Sequence, residues 1–149
     1  MYRTEKFTIR AVSSADLHRI YEIEIKSFKS PFSYKMLEKL ASVPNIIYLV
    51  GEFEHKIIGY IISSVHLKEA HLISIAIEDK YRRQGFGTAL LQYIIKNLKE
   101  QKIKKLRLEV RVGNEPAKSF YSHFNFKIIK IKRKYYSDVE DALEMELRL

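Results

Sequence analysis

Tyr81-Arg82-Arg83-Gln84-Gly85-Phe86-Gly87-Thr88-Ala89-Leu90-Leu91 joins a segment that reads as a strand, His71 to Ile77, to one that reads as a helix beginning near Gly85. The first N–H groups of a helix have no partner within it, and they lie at the positive end of its dipole. That combination holds a phosphate or pyrophosphate. Glycine at positions 85 and 87 removes the side chains that would keep an anion away from the backbone, and Arg82 and Arg83 add positive charge. Two familiar phosphate motifs are excluded. No lysine follows Gly87, as a P-loop needs, and Leu90 stands where a dinucleotide fingerprint needs its third glycine. An ordinary glycine-rich turn between strand and helix would look the same, so the rest of the chain has to decide.

Outward from this turn the periodicity alternates between strand and helix. Phe7 to Arg10 alternates as a short strand. Ser13-Ser14-Ala15-Asp16 offers a cap to a helix carrying Leu17, Ile20, Tyr21, Ile23 and Glu24, which ends near Phe28. Pro31 breaks the chain, and Ser33 caps a second helix through Leu40. Asn45 to Phe53 and Lys56 to Val65 read as strands joined by a tight turn at Glu54-His55. Lys68-Glu69 marks the next turn, before the strand His71 to Ile77. The helix from Gly85 to about Gln101 has Leu90, Leu91, Ile94, Ile95 and Leu98 on one stripe. Leu106 to Val110 alternates as a strand. Asn114 caps a short helix, Glu115 to His123, with Pro116 in its first turn. Phe126 to Lys134 and Ala142 to Leu149 read as two last strands. The order β-α-α-β-β-β-α-β-α-β-β predicts an α/β fold, a mixed sheet with helices on both faces.

The 149 residues suit one domain, 1–149, with an adequate core. The longest apolar runs are far too short to span a bilayer, and the start lacks the basic-then-apolar pattern of a signal peptide. There is no cysteine, so disulfides, zinc–thiolate sites and thiol nucleophiles are excluded. The expectation is a cytoplasmic protein. The formal net charge of +9 favours phosphorylated ligands and acidic partners. Its densest group, Lys127 to Lys134, is read either as the solvated face of a strand or as part of a site for a CoA phosphate or an acidic partner. His18, His55, His66, His71 and His123 lack metal-ligand spacing.

The pattern Arg82-x-x-Gly85-x-Gly87 resembles the acetyl-CoA-binding signature of the GCN5-related N-acetyltransferases. With "HLISIAIEDKYRRQGFGTALL" (71–91), "LEVRVGNEPAKSFYSHFNF" (108–126), Tyr135-Tyr136 and Glu140-Asp141-Ala142, the resemblance extends over nearly the whole chain. It is to the N-terminal protein acetyltransferases, the bacterial RimI enzymes that acetylate ribosomal protein termini and the archaeal Ard1-type enzymes. This implies a mostly antiparallel sheet splayed between its fourth and fifth strands, with acetyl-CoA in the gap and no metal. Ile75, Ala76 and Ile77 match the strand that lines the thioester and pantetheine arm. Arg82, Arg83, Gln84, Gly85, Phe86, Gly87 and Thr88 match the pyrophosphate loop. Asn114 matches a cofactor-contacting asparagine and can cap its helix as well.

Acetyl transfer needs a neutral amine and a protonated leaving thiolate. A protein α-amine has a pKa of roughly 8, so a modest base suffices near neutrality. Glu109 matches the catalytic glutamate and is the candidate base, through water; a solvated carboxylate balanced by Arg107 or Arg111 is the plainer alternative. Tyr121 matches the general acid, against a role in core packing beside Phe120 and Phe124. His71 replaces a tyrosine found in some relatives and is kept as assistance. Phe28, Pro31 and Phe32 match the loop that contacts the acceptor, and Tyr135 and Tyr136 match the opposite wall. Glu24 could add charge near the entrance or be an exposed helix carboxylate. The resemblance thus implies acetylation of protein N-termini, ribosomal or nascent, with no need for direct nucleic-acid or membrane binding. Two alternatives stay open: acetylation of lysine or a small amine, and a noncatalytic CoA-binding module associated with the ribosome.

Overall fold

Seven strands form one sheet in the order β1-β2-β3-β4-β5-β7-β6, in a computed structural model that describes residues 6–149. The first five residues, on which the absence of a signal peptide was partly read, lie outside the described part. The elements are β1 (Phe7–Ala11), α1 (Leu17–Ser27), α2 (Tyr34–Leu40), β2 (Ile46–Phe53), β3 (Lys56–His66), β4 (Glu69–Ile77), α3 (Phe86–Glu100), β5 (Lys105–Arg111), α4 (Glu115–His123), β6 (Lys127–Lys132) and β7 (Ala142–Arg148). The mixed α/β order read from the sequence holds. β4 begins two residues earlier than expected, because the turn falls on Leu67-Lys68, where Leu67 adopts a φ of 56°. The sixth strand is shorter than its apolar run, ending at Lys132.

Helices cover both faces. Leu17, Ile20 and Ile23 of α1 and Leu37 of α2 pack on Tyr48, Val50, Tyr60 and Ile62. On the other face Leu90, Leu91, Ile94 and Leu98 of α3 form the stripe that meets Leu72, Leu106, Leu108 and Met145. The turn between β2 and β3 has positive φ at both Glu54 and His55. That twist suits a two-residue hairpin even without glycine.

The only parallel pair in this sheet is β4 with β5, and it is short: Glu69 with Lys105, Ala70 with Leu106, His71 with Arg107. Beyond His71 the strands part, so the expected splay between the fourth and fifth strands is present. A one-residue bulge accompanies it. Against β3, Ser63 pairs with Leu72 and Ile62 with Ser74, which leaves Ile73 as the extra residue. A bulge bends the strand that carries it and sharpens its twist. It falls two residues after the last pair with β5, and it turns the rest of β4 away from that neighbour. A second bulge lies in β6, where Ile128 pairs with Met145 and Lys130 with Glu144, leaving Ile129 extra.

Candidate active site

The fork between β4 and β5 opens into a cavity of about 340 Å3. Its floor comes from Ile73 and Ile75 of β4 and Leu108 and Val110 of β5. Phe28, Ser30 and Phe32 line one side, Tyr135 and Tyr136 another, and Asn114, Ala117 and Tyr121 a third. Of the residues singled out from the sequence, this brings together Ile75, Glu109, Asn114, Tyr121, Phe28, Phe32, Tyr135 and Tyr136. Pro31 is exposed and is not part of the lining. Ala76 and Ile77 are buried one on each face of the sheet, in the α1 core and the α3 core.

At the end of the fork stands a charged group on the polar face of the sheet. His71 is the last residue of β4 paired with β5, and its Nε2 lies 2.6 Å from Oε1 of Glu109. The other oxygen, Oε2, accepts from Nη1 of Arg107 at 3.1 Å and Nζ of Lys132 at 2.8 Å. Arg111 does not balance Glu109. Burial pushes the Glu109 carboxyl up, but hydrogen bonds and charge from His71 and Lys132 outweigh this and bring it down to about 2. An anionic Glu109 can only accept, so Nε2 carries the proton of this bond; when the ring is neutral, Nδ1 is then its acceptor. The pair resembles the carboxylate–imidazole arrangement in which the ring accepts a proton and the carboxylate orients it.

Tyr121 projects from α4 into the same cavity, with its ring edge-on to Phe120 and Phe126. Burial, with Tyr136 nearby, pushes its phenol up, so it keeps its proton at neutral pH. Tyr121 thus packs in the α3 core and lines the cavity at once.

Arg111, at the end of β5, joins the wall after α1 to the wall after β6. Its guanidinium bonds Asp138 at 2.9 Å, Glu140 at 2.8 Å and Oγ of Ser30 at 2.9 Å, and stacks 4.0 Å over the ring of Tyr136. Glu24, read as a charge near the entrance or as an exposed helix carboxylate, does line the cavity but is not exposed, at 2%. Its Oε2 accepts from the backbone N–H of Phe32 at 2.9 Å, and its Oε1 accepts from Oγ of Ser74 at 3.2 Å and from the hydroxyl of Tyr60. A polar group at such burial needs this full set of donors, and the result is to pin the Phe32 wall to β3 and β4. Its spacing from Leu17 and Ile20 already placed Glu24 on the apolar stripe of α1, but periodicity could not show the donors that let a carboxylate stay there.

The loop before α3 has the geometry its glycines suggested. Gly85 caps the helix with a φ of 89°, a left-handed value that favours glycine. The first helical bond runs from Ala89 N–H to the Gly85 carbonyl, so the N–H groups of Phe86, Gly87 and Thr88 lie ahead of the helical ladder. A Cβ on Gly87 would fill the space beside Ile77 and Phe120, at 3.7 Å from each. The buried Oε1 of Gln84 has no hydrogen-bond partner among the described residues. The backbone donors fit the pyrophosphate arm of acetyl-CoA, whose oxygens only accept, whereas the Gln84 Oε1 does not pair with such a group. Two side chains of the motif are turned to other uses. Phe86 packs into the core against Phe7 and Phe53. Arg82 braces the loop, bonding the Ile77 carbonyl, Asp79 and Ser27. Arg83 is exposed beside the loop. Asn114 caps α4 by accepting from Ala117 N–H at 3.2 Å while also lining the cavity.

Among the described residues no group of three or more His, Asp or Glu side chains could hold a metal ion. No helix there is long and apolar enough to cross a membrane.

Comparison with known proteins agrees with this geometry. The sequence model of the acetyltransferase (GNAT) family matches residues 17–126. The N-alpha-acetyltransferase of Sulfurisphaera tokodaii is 32% identical over 154 residues, covering 95% of this chain and 92% of that protein. The crystal structure of the ribosomal-protein-S18-alanine N-acetyltransferase from Escherichia coli superposes with a TM-score of 0.88 at 33% identity, covering 95% and 93% of the two chains. That of Ard1 from Thermoplasma volcanium gives a TM-score of 0.91 at 28% identity, covering 97% and 98%. The matched region holds both the glycine loop and the fork between β4 and β5, and the chain belongs to the acetyltransferase (GNAT) family.

Proposed function

We propose that the protein, acting through residues 1–149 as one acetyltransferase domain in the cytoplasm, transfers an acetyl group to the α-amine of protein N-termini. The observation that carries this reading is the meeting of His71, Glu109 and Tyr121 in one cavity whose outer walls are aromatic and peptide-sized. The names of the relatives support it, since they include N-alpha-acetyltransferases and a ribosomal-protein-S18-alanine N-acetyltransferase. Ribosomal or nascent protein termini are the acceptors we favour.

Acetyl-CoA supplies the activated acetyl thioester. The α3 N-terminus and the Gly85–Gly87 turn bind its pyrophosphate, and Arg83 adds charge. Beyond the fork, the edge of β4 facing β5 presents backbone groups that β5 does not pair. Donors there orient and polarise the thioester carbonyl. Phe28 and Phe32 take the first side chain, and Tyr135 and Tyr136 hold the peptide backbone. As the amine nitrogen bonds to the acetyl carbon, its proton passes to Nδ1 of His71, directly or through water. Glu109 then faces an imidazolium and stabilises it. The C–S bond breaks, and the Tyr121 hydroxyl donates to the departing sulfur.

In this scheme Glu109 supports the base instead of acting as the base. A carboxylate held near pKa 2 is a weak proton acceptor for an amine of pKa roughly 8. Its value lies in orienting His71 and balancing its charge.

The deciding experiment is mass spectrometry of peptides incubated with enzyme and acetyl-CoA. A lysine-free peptide with a free N-terminus is compared with its N-terminally blocked counterpart carrying one lysine, and with small amines. Acetylation of the free terminus is expected, with Met or a small residue preferred at the first position. Acetylation of the blocked lysine peptide alone would replace this reading with a lysine acetyltransferase. No transfer to any acceptor, with acetyl-CoA still bound, would point to a noncatalytic CoA-binding module.

A further inference from the structure

We propose that Lys132, on the edge strand β6, is a positioning residue for acyl transfer: its ammonium holds Oε2 of Glu109 so that Oε1 stays aimed at His71. This rests on the acetyltransferase reading above.

Lys132 belongs to the run Lys127 to Lys134 that reads from the sequence either as a solvated strand face or as part of a site for a CoA phosphate or an acidic partner. The bulge at Ile129 changes that. Without an extra residue, strict alternation from Lys127 would put Ile129 and Ile131 opposite Glu144 and Ala142 on the polar face. With it, Lys130 and Lys132 take those places instead. Ile128, Ile129 and Ile131 are left exposed, at 58%, 47% and 52%. Exposing three isoleucines is an apolar cost, and what accompanies it is a lysine delivered to the active site.

The contacts of Lys132 are specific. Nζ lies 2.8 Å from Oε2 of Glu109 and 3.4 Å from Oε1 of Glu144. It also lies 5.4 Å from the ring centroid of Tyr135, a wall of the acceptor site. Its neighbour Lys130 reaches only Glu144, at 3.9 Å, and is 61% exposed. The charged or titratable groups around Glu109 are His71 from β4, Arg107 on its own strand, Glu144 across β7, Lys132 from β6 and Tyr136 from the β6–β7 loop. Arg107 shares Oε2 but lies beside it on the same strand. Only Lys132 reaches it from the far side of β7. Removing that cation leaves the imidazole–carboxylate pair more negative by one charge, so it holds its proton to higher pH.

The test compares Lys132→Met, Lys132→Arg and Lys130→Met. Lys132→Met is expected to lower kcat on the order of ten- to a hundredfold by misaligning the pair. The KM for acetyl-CoA should stay unchanged, and the acid limb of the pH profile should move upward. Lys132→Arg should restore most of the rate and return the limb to its place, and Lys130→Met should behave as wild type. A second readout needs no acceptor. The carboxyl 13C titration of Glu109, followed by NMR, should move upward in Lys132→Met and stay put in Lys130→Met. An unchanged Glu109 titration in folded Lys132→Met would overturn the proposal. So would equal loss in Lys132→Met and Lys132→Arg with an unmoved pH limb, which marks a packing role. If the titration moves but no peptide is acetylated, the positioning stands and the acceptor assignment fails.

Discussion

At the scale of residues, the proposed mechanism divides proton handling among three side chains that carry different loads. In it Nδ1 of His71 accepts, Glu109 orients and balances, and the Tyr121 hydroxyl donates. His71→Gln and Tyr121→Phe should each lower kcat by roughly 10²–10⁴-fold while sparing acetyl-CoA affinity. If His71→Gln turns over at the wild-type rate with chemistry rate-limiting, the base has been misassigned. The cofactor loop can be probed without disturbing the fold. Gly87→Ala places a methyl at ordinary contact distance from Ile77 and Phe120, so circular dichroism should be unchanged while calorimetry shows weaker acetyl-CoA binding. Gly85→Ala is the poorer probe, because a Cβ at a φ of 89° strains the backbone itself. Motif matching pointed to Tyr121 and Asn114, which line the cavity, and to Gly85, which caps α3, since each is fixed by its neighbours in sequence. The contact of His71 with Glu109 was not legible there, because the two residues lie 38 positions apart. Nor was the reach of Lys132 to Glu109, as a bulge resets which face a lysine occupies.

At the scale of elements, the walls of the proposed acceptor site are held by ties between loops that are distant in sequence. Arg111, only 12% exposed, bonds Ser30 after α1 and Asp138 and Glu140 after β6. Ser30 and Ser137 also approach to 3.5 Å. Arg111→Ala should let both walls loosen. Peptide KM should rise on the order of tenfold or more, with acetyl-CoA KM unaffected, because only the acceptor loses its orientation. A matching rise in both constants would mean that the substitution disturbs the whole fork. The elements themselves were nearly all legible from periodicity and caps: Ser33 caps α2 and Asn114 caps α4, as their positions suggested. Strand order was legible only through the resemblance, because alternation shows which face a residue occupies and not which strand lies beside it.

At the scale of the whole molecule, a chain of net charge +9 depends on its carboxylates being ionised. The Glu109 carboxyl lies near 2 in the folded protein against an ordinary 4.5, and Arg10 holds Asp16 below its ordinary range as well. Each such group stabilises the fold fully above its unfolded value and ceases to do so as pH falls through its folded one. Resistance to thermal unfolding should therefore weaken progressively from about pH 4.5 down to 2, with Glu109 alone contributing up to about 3 kcal/mol of that loss. A melting temperature that stays level across this window would contradict the ion pairing described. The bulge at Ile73 has a consequence of another kind. That residue matters to the enzyme less as isoleucine than as a number: one unit too many for β3 to match, and so the reason β4 cannot continue beside β5. Ile73→Val should be a quiet change. Deleting Ile73 should make the sheet more regular and the protein inert, because a chain one residue shorter could zip shut the space in which its two substrates meet.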